Sequence, residues 1–382
     1  MKIALFPSAF HPNLGGVEEL TRQLAHALRR RGHQVSIVSQ RWPLDLPTCE
    51  EFEGLPLYRV AFVGAPQGWD LRGLKARAQW ARRRREAESQ SARIVQEFGA
   101  DLVHVQCAGP NAYYAHSTAR ALGLPLVLSA QGELTMDATG LYQKSGWMRG
   151  VLREILRDAA CITACSRNAL DDVEAFATPI SLAGRARVIY NGISLRDFAA
   201  VPDAHTSTRP YVFALGRFVR QKGFDVLLEA FARAELENFD LILAGDGPER
   251  APLEELARDL PNVHFWGRAD RADVIRLMRG CAWFVLPSRV EPQGIVNLEA
   301  MAAGRAVIAS KTGGVPEIVL DGETGVLVPP DDVPALALAL QEMANQPRRR
   351  AAMGAAGLQR AQAFDWDELA AQYEEVYREA TG

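Results

Sequence analysis

The chain has 382 residues, 48% of them apolar and 23% charged. That length calls for two domains of about 150 residues each, and the composition excludes disordered and fibrous classes. The net charge of −3 argues against a general nucleic-acid binder.

No apolar run approaches the roughly 18–20 residues needed to cross a bilayer. No secretory leader is expected, because Lys2 is followed only by Ile3 to Phe6 before Pro7, His11 and Pro12 interrupt the run. The five cysteines (49, 107, 161, 165 and 281) are odd in number and lack metal or redox spacing, so reduced thiols are expected. Charge is uneven along the chain. Residues 1–200 carry 24 Lys+Arg against 19 Asp+Glu, whereas residues 201–382 carry 19 against 27. Two halves with different surface chemistry fit two domains with different partners.

The N-terminus predicts strand, loop and helix. Ile3–Phe6 is a short apolar run of the buried parallel kind. A loop with Gly15-Gly16 follows, then Val17, Leu20, Leu24, Ala27 and Leu28 at helical spacing, with Glu18 and Glu19 in the first turn. Strands are expected again at 35–38, 102–105, 126–128 and 161–163, alternating with helical patterns, which means parallel βαβ units.

Around 196–210 periodicity lapses into Pro, Asp, Ser and Thr, marking a linker. A second run then predicts strands at 211–214, 241–244, 263–265, 283–286, 307–309 and 326–328. Helices are expected between them, and an amphipathic helix at 366–378. The predicted fold class is α/β, with two doubly wound, Rossmann-like domains. They cover 1–200 and 201–364, joined by a polar linker, with 365–382 as a separate last helix. A cleft is expected between the domains, and in open parallel sheets ligands bind beyond the carboxyl ends of the strands.

Chemistry concentrates in 211–325. Arg217 and Lys222 stand five residues apart on a strand-to-helix loop bounded by Gly216 and Gly223. A forked guanidinium and a mobile ammonium suit a diphosphate; taken alone, they read equally well as solvated surface cations. Glu291 and Glu299, with seven residues between them, flank the start of a helix near Ile295. Carboxylates there suit ligand hydroxyls, and the free N–H groups of the helix start suit an anion. Gly313-Gly314 with Glu317 offers further backbone donors. Gly245-Asp246-Gly247-Pro248 reads as a tight turn. None of these loops is GxGxxG, so nicotinamide binding has no local support.

Together these residues resemble glycosyltransferase family 4, retaining nucleotide-sugar enzymes of GT-B architecture. The resemblance also rests on Gly15-Gly16-Val17-Glu18, Ser166-Arg167 and Asn191-Gly192. It implies an N-terminal acceptor-binding domain, a C-terminal nucleotide-sugar domain and a last helix crossing back onto the first. It implies that Arg217 and Lys222 hold the donor diphosphate, that Glu291 contacts the donor sugar, and that Glu299 contacts the ribose. The amides at Gly294, Ile295 and Val296 would touch sugar and phosphate. Arg268 would lie near the base, and Gly16 would approach the phosphates.

One departure stands out. Many relatives carry a histidine in the loop that here reads Ser129-Ala130-Gln131-Gly132-Glu133, where this chain has Gln131. An amide donates a hydrogen bond but cannot serve as a base. Gln131, Glu133 and His11 are therefore the acceptor-side candidates, His11 as an alternative imidazole or simply a surface loop residue.

The basic stretch Arg72–Arg85, with Lys75, Arg77 and Arg82-Arg83-Arg84-Arg85, contains no acid and is interleaved with Leu71, Leu74 and Trp80, next to Trp69. It reads either as a helix lying on anionic lipid or as a solvated face.

The expected reaction moves a sugar from a UDP- or GDP-sugar co-substrate to a hydroxyl acceptor with retention. In the mechanism commonly proposed for the family, the departing phosphate oxygen takes the acceptor proton, which makes Gln131 tolerable. The sequence does not specify the acceptor or the oligomeric state. No cofactor is expected and, without an Asp-x-Asp motif in the donor region, no metal. The location expected is cytoplasmic, soluble or peripheral on the inner membrane face. Rival readings are a nucleotide-sugar epimerase of the same fold and a non-catalytic nucleotide-sugar-binding homologue.

Overall fold

The computed structural model describes residues 1–13, 15–65, 71–136 and 140–382, without the side chains of 71–77. The chain divides into two compact units. One comprises Met1–Tyr190 with Trp366–Gly382, the other Asn191–Asp365.

The first unit is built on an eight-stranded sheet in the order β3-β4-β2-β1-β5-β6-β7-β8. Its strands are β1 (Lys2–Pro7), β2 (Gln34–Gln40), β3 (Cys49–Phe52), β4 (Leu55–Val60), β5 (Leu102–Gln106), β6 (Leu126–Ala130), β7 (Cys161–Ala164) and β8 (Ala186–Val188). All pairs are parallel except β3–β4. Helices α1 (Gly16–Arg30), α2 (Leu71–Phe98), α3 (Pro110–Leu122), α4 (Leu141–Lys144), α5 (Gly146–Asp158) and α6 (Arg167–Ala177) connect the strands. β1, β5 and β6 are buried along most of their length, as strands covered on both faces must be. The β3–β4 hairpin and β8 lie beyond the predicted strands. The hairpin turns at Glu53-Gly54, both at positive φ (51° and 77°), which matches the right-handed twist of the flanking strands.

The last helix, α15 (Trp366–Thr381), belongs to this unit. Its Trp366, Tyr373 and Tyr377 are almost fully buried. Tyr377 Oη lies 2.7 Å from Nδ1 of the buried His104, whose Nε2 is 2.7 Å from Ser129 Oγ. Burial without a carboxylate neighbour pushes the His104 pKa down to about 3, so the ring is neutral. At the surface Arg30 pairs with Asp367 and Arg31 with Glu374.

The second unit holds a six-stranded parallel sheet in the order β11-β10-β9-β12-β13-β14. Its strands are β9 (Tyr211–Leu215), β10 (Asp240–Ala244), β11 (Val263–Gly267), β12 (Trp283–Leu286), β13 (Val307–Ser310) and β14 (Gly325–Val328). Its helices are α7 (Leu195–Ala200), α8 (Phe224–Ala234), α9 (Arg250–Leu256), α10 (Arg271–Gly280), α11 (Ile295–Ala302), α12 (Val315–Ile318), α13 (Val333–Asn345) and α14 (Pro347–Ala361), and α15 follows.

The predicted strands of this unit are present, with helices between them as expected. α14 was not expected. It packs on α11 through glycines: a Cβ on Gly354 would stand 2.3 Å from the Gly304 carbonyl oxygen, and one on Gly357 would stand 3.2 Å from Met301 Cγ.

Residues 191–200, expected in the first domain, group with the second unit, and so does the expected linker. His205 N–H donates to Arg276 O, and the missing side chain of Gly280 leaves room for the His205 carbonyl. Half-buried arginines close helix ends here. Arg279 donates to Phe198 O of α7, Arg305 to Arg279 O of α10, and Arg350 to Met343 O of α13. The negative end of each helix dipole thus takes the place of a carboxylate.

Candidate functional site

In the second sheet the winding reverses between β9 and β12, the switch point where loops diverge and ligands settle in doubly wound folds. Two loops meet there, 216–223 after β9 and 287–294 after β12. The first carries Arg217, which is exposed and has no ion-pair partner among the described residues. Its neighbours are fixed through the backbone. Phe218 N–H donates to Asp246 O and Glu249 N–H donates to Phe218 O, both at 2.9 Å.

The Gly245–Pro248 segment therefore does more than turn. Gly245 has φ +139°, and a Cβ there would stand 1.9 Å from Gly216 O. One on Gly247 would stand 2.4 Å from Phe218 O. Only glycine permits this segment to lie against the Arg217 loop.

Lys222 closes a short 3-10 turn, Arg220–Lys222, and Gly223 follows at φ +64°. The Lys222 ammonium donates to Glu291 Oε2 across 2.6 Å, and Ser288 Oγ donates to the same oxygen at 3.1 Å. Glu291 is only 6% exposed. A cation and a hydroxyl thus hold one oxygen of this buried carboxylate.

Gly294, at φ +84°, then turns the chain into α11 without a side-chain cap. The N–H groups of Ile295 and Val296 have no partner within the helix, which leaves the positive end of its dipole for an anion. The loop after β13 behaves otherwise than expected: Gly314 N–H donates to Glu291 O, so that amide is spent on holding the Glu291 backbone.

Glu299, 7% exposed, pairs with the Arg271 guanidinium at the start of α10. Arg271 also stacks on Phe198 (5.4 Å) and lies 3.6 Å from Asp197. Arg268 is largely exposed, with Nε 3.2 Å from Asp246.

Sequence reasoning missed three site residues. Arg271 is one, and Arg289, which braces the two loops, is another. The third is Gln293, whose side chain accepts from Asn191 N–H (2.7 Å) and donates to Asn191 O (2.8 Å). The Pro-Gln-Gly triplet carried that signal, because a buried amide beside Pro and Gly must find backbone partners.

The other expected site residues belong to the first unit. Gly16 opens α1, exposed, with nothing within 4 Å of where a Cβ would stand. The His11 ring packs on Phe52 (4.5 Å), and its carbonyl accepts from the buried Arg59 at 3.0 Å. The Gln131 side chain donates to Gln106 Oε1 at 3.3 Å.

Glu133 is held by backbone. Its two oxygens accept from Ala108 N–H (2.6 Å) and Gln131 N–H (2.5 Å), so it braces the loops after β5 and β6. The basic stretch is less uniform than its sequence. Trp69 lies outside the described residues, as do the side chains of Leu71, Arg72, Leu74, Lys75 and Arg77. Arg84 is folded over Trp80 (4.7 Å), Arg82 pairs with Glu86, and Arg83 and Arg85 are exposed.

Comparison with known proteins shows the family and the fold. Residues 14–197 match the family model described as Glycosyltransferase Family 4, and residues 197–360 match that of Glycosyl transferases group 1. The alpha-maltose-1-phosphate synthase of Mycolicibacterium smegmatis is 32% identical over 299 residues, covering 70% of this chain and 76% of that protein.

Among solved structures, the sucrose-phosphate synthase of Thermosynechococcus elongatus superposes with TM-score 0.79 at 26% identity. The match covers 99% of this chain and 98% of that one. Anabaena HepE in complex with UDP-glucose superposes with TM-score 0.74 at 21% identity over 98% of both chains, which speaks for the fold. The fold class is that of the GT-B glycosyltransferases, and the chain belongs to glycosyltransferase family 4, the glycosyl transferases group 1.

Proposed function

We propose that the chain transfers a sugar from a nucleoside diphosphate sugar, UDP- or GDP-linked, to an acceptor hydroxyl with retention at the anomeric carbon. The observation that carries this reading is the Lys222–Glu291 ion pair, flanked by Arg217 on one side and the uncapped start of α11 on the other. As the bond to the diphosphate breaks, negative charge grows on phosphate and positive charge on the sugar ring. Arg217, Lys222 and the amides of Ile295 and Val296 answer the first, and Glu291 answers the second. Glu299 would take the ribose hydroxyls and Arg268 would lie near the base. Anabaena HepE has been solved with UDP-glucose, which supports such a donor.

With an amide at 131, the acceptor proton would pass to the departing phosphate oxygen instead of to a side-chain base. The cations present suffice for the charge, so the reaction needs neither metal nor cofactor. Incubating the chain with a panel of nucleotide sugars and hydroxyl acceptors, with product configuration read by NMR, tests the proposal. Nucleoside diphosphate release with an α-linked product from an α-linked donor supports it. Conversion of the donor sugar without acceptor would favour an epimerase, and binding without turnover a silent homologue.

The partner surface of the first unit is proposed to include the exposed Arg83 and Arg85 on α2, touching anionic lipid from the cytoplasmic side. No described helix is long and apolar enough to cross a membrane. The five cysteines are unpaired, three of them buried, which fits a reducing compartment. Flotation with anionic vesicles tests the contact. Equal lipid-free recovery of wild type and an Arg82–Arg85 charge reversal would end the idea.

A further inference from the structure

Asp225 is an anion in an awkward place. It stands three residues after Lys222, in the first turn of α8, beside the loop proposed to receive a diphosphate. Left bare, its charge would oppose that ligand. It is not bare. Arg289, from the loop after β12, grips it with two parallel bonds, Nη1 to Oδ1 at 2.8 Å and Nη2 to Oδ2 at 2.7 Å. Nη1 also donates to Arg220 O at 2.6 Å, and Nε donates to Asp331 at 2.5 Å. The Arg289 N–H donates to Gln221 O at 2.8 Å, so backbone and side chain both meet the turn that carries Lys222.

Burial disfavours the Asp225 carboxylate, yet the bonds and charge of Arg289 outweigh it and hold the group below the usual range. The Arg289 side chain is 17% exposed and that of Asp225 42%, so the pair is partly shielded from solvent on its arginine side.

We infer that Arg289 is a positioning residue that neutralises Asp225 and thereby keeps the Arg217–Lys222 loop receptive to a nucleoside diphosphate. This rests on the proposed function and deepens it. A mere cross-link would need both partners equally. A neutraliser is needed only while the acid is present.

Titration calorimetry with UDP and GDP separates the two. Arg289→Gln should weaken diphosphate binding about tenfold or more. Asp225→Asn should bind as tightly as wild type or tighter. The double variant Arg289→Gln/Asp225→Asn should recover most of the loss. Asp225→Asn as weak as Arg289→Gln, or a double variant no better than Arg289→Gln, would overturn the inference. If Arg289→Gln does not fold, Asp225→Asn decides alone, since weaker binding by it is incompatible with neutralisation. Wild type that binds neither nucleotide removes the functional reading itself, a distinct result.

Discussion

Gly223 and Pro287 touch through their backbones: a Cβ on Gly223 would stand 2.1 Å from the Pro287 carbonyl oxygen. The loops after β9 and β12 are therefore fitted to each other before any ligand contact. Gly223 also sits at φ +64°. Gly223→Ala should cost about 1–3 kcal/mol from the strained conformation alone and more from the clash. Thermal unfolding would show the loss, and a variant as stable as wild type would contradict this packing.

Arg217 and Lys222 should separate in a way that tests their different surroundings. Either change to Met should slow transfer about 10²-fold. Only Lys222→Met should also lower stability, by roughly 1–3 kcal/mol, because it leaves the buried Glu291 carboxylate without its cation. Exposed Arg217 should leave the melting temperature unchanged. Paired rate and unfolding measurements check both halves.

His104 gives a pH signature. Folded, it stays neutral down to about pH 3; unfolded, it titrates near 6.5. Between those values the unfolded chain binds the extra proton. Stability should thus fall as pH drops, by up to about 1.4 kcal/mol per unit, with no contribution above 6.5. Between pH 6.5 and 5, above the carboxylate range, denaturant unfolding of His104→Asn should show a flatter slope than wild type. Equal slopes would refute the buried neutral imidazole.

Arg305 should matter although it forms no ion pair among the described residues. Its guanidinium donates to the last turn of α10. Arg305→Met should destabilise by about 1–2 kcal/mol, an effect insensitive to added salt because the group is half-buried.

Much of this was legible in the chain. The strands of the second unit announce themselves as apolar runs bounded by turn residues, and Arg217, Lys222, Glu291 and Glu299 stand out because cations and carboxylates recur at fixed offsets after strands. What sequence hid was partnership. Lys222 meets Glu291, 69 residues away, only because the sheet order sets β9 beside β12. Arg271 and Glu299 likewise come from different helices.

α14 was hidden for another reason. Its Ala- and Gly-rich face lacks large apolar residues at helical spacing, since Gly354 must let the Gly304 backbone approach and Gly357 the Met301 side chain. The backbone partners of Glu133 were hidden too, because the amides of Ala108 and Gln131 meet it only once β5 and β6 pair.

The return of α15 to the first unit has a consequence for synthesis. Tyr373 and Tyr377 fill the core beside His104, yet the entire second unit lies between them and the strands they cover. On the ribosome, residues 1–190 emerge with that part of their core uncovered. They wait while Asn191–Asp365, a continuous stretch with a core of its own, is made. The half that begins first is finished last, and its exposed strands are the stretch a chaperone would have to shelter in the interval.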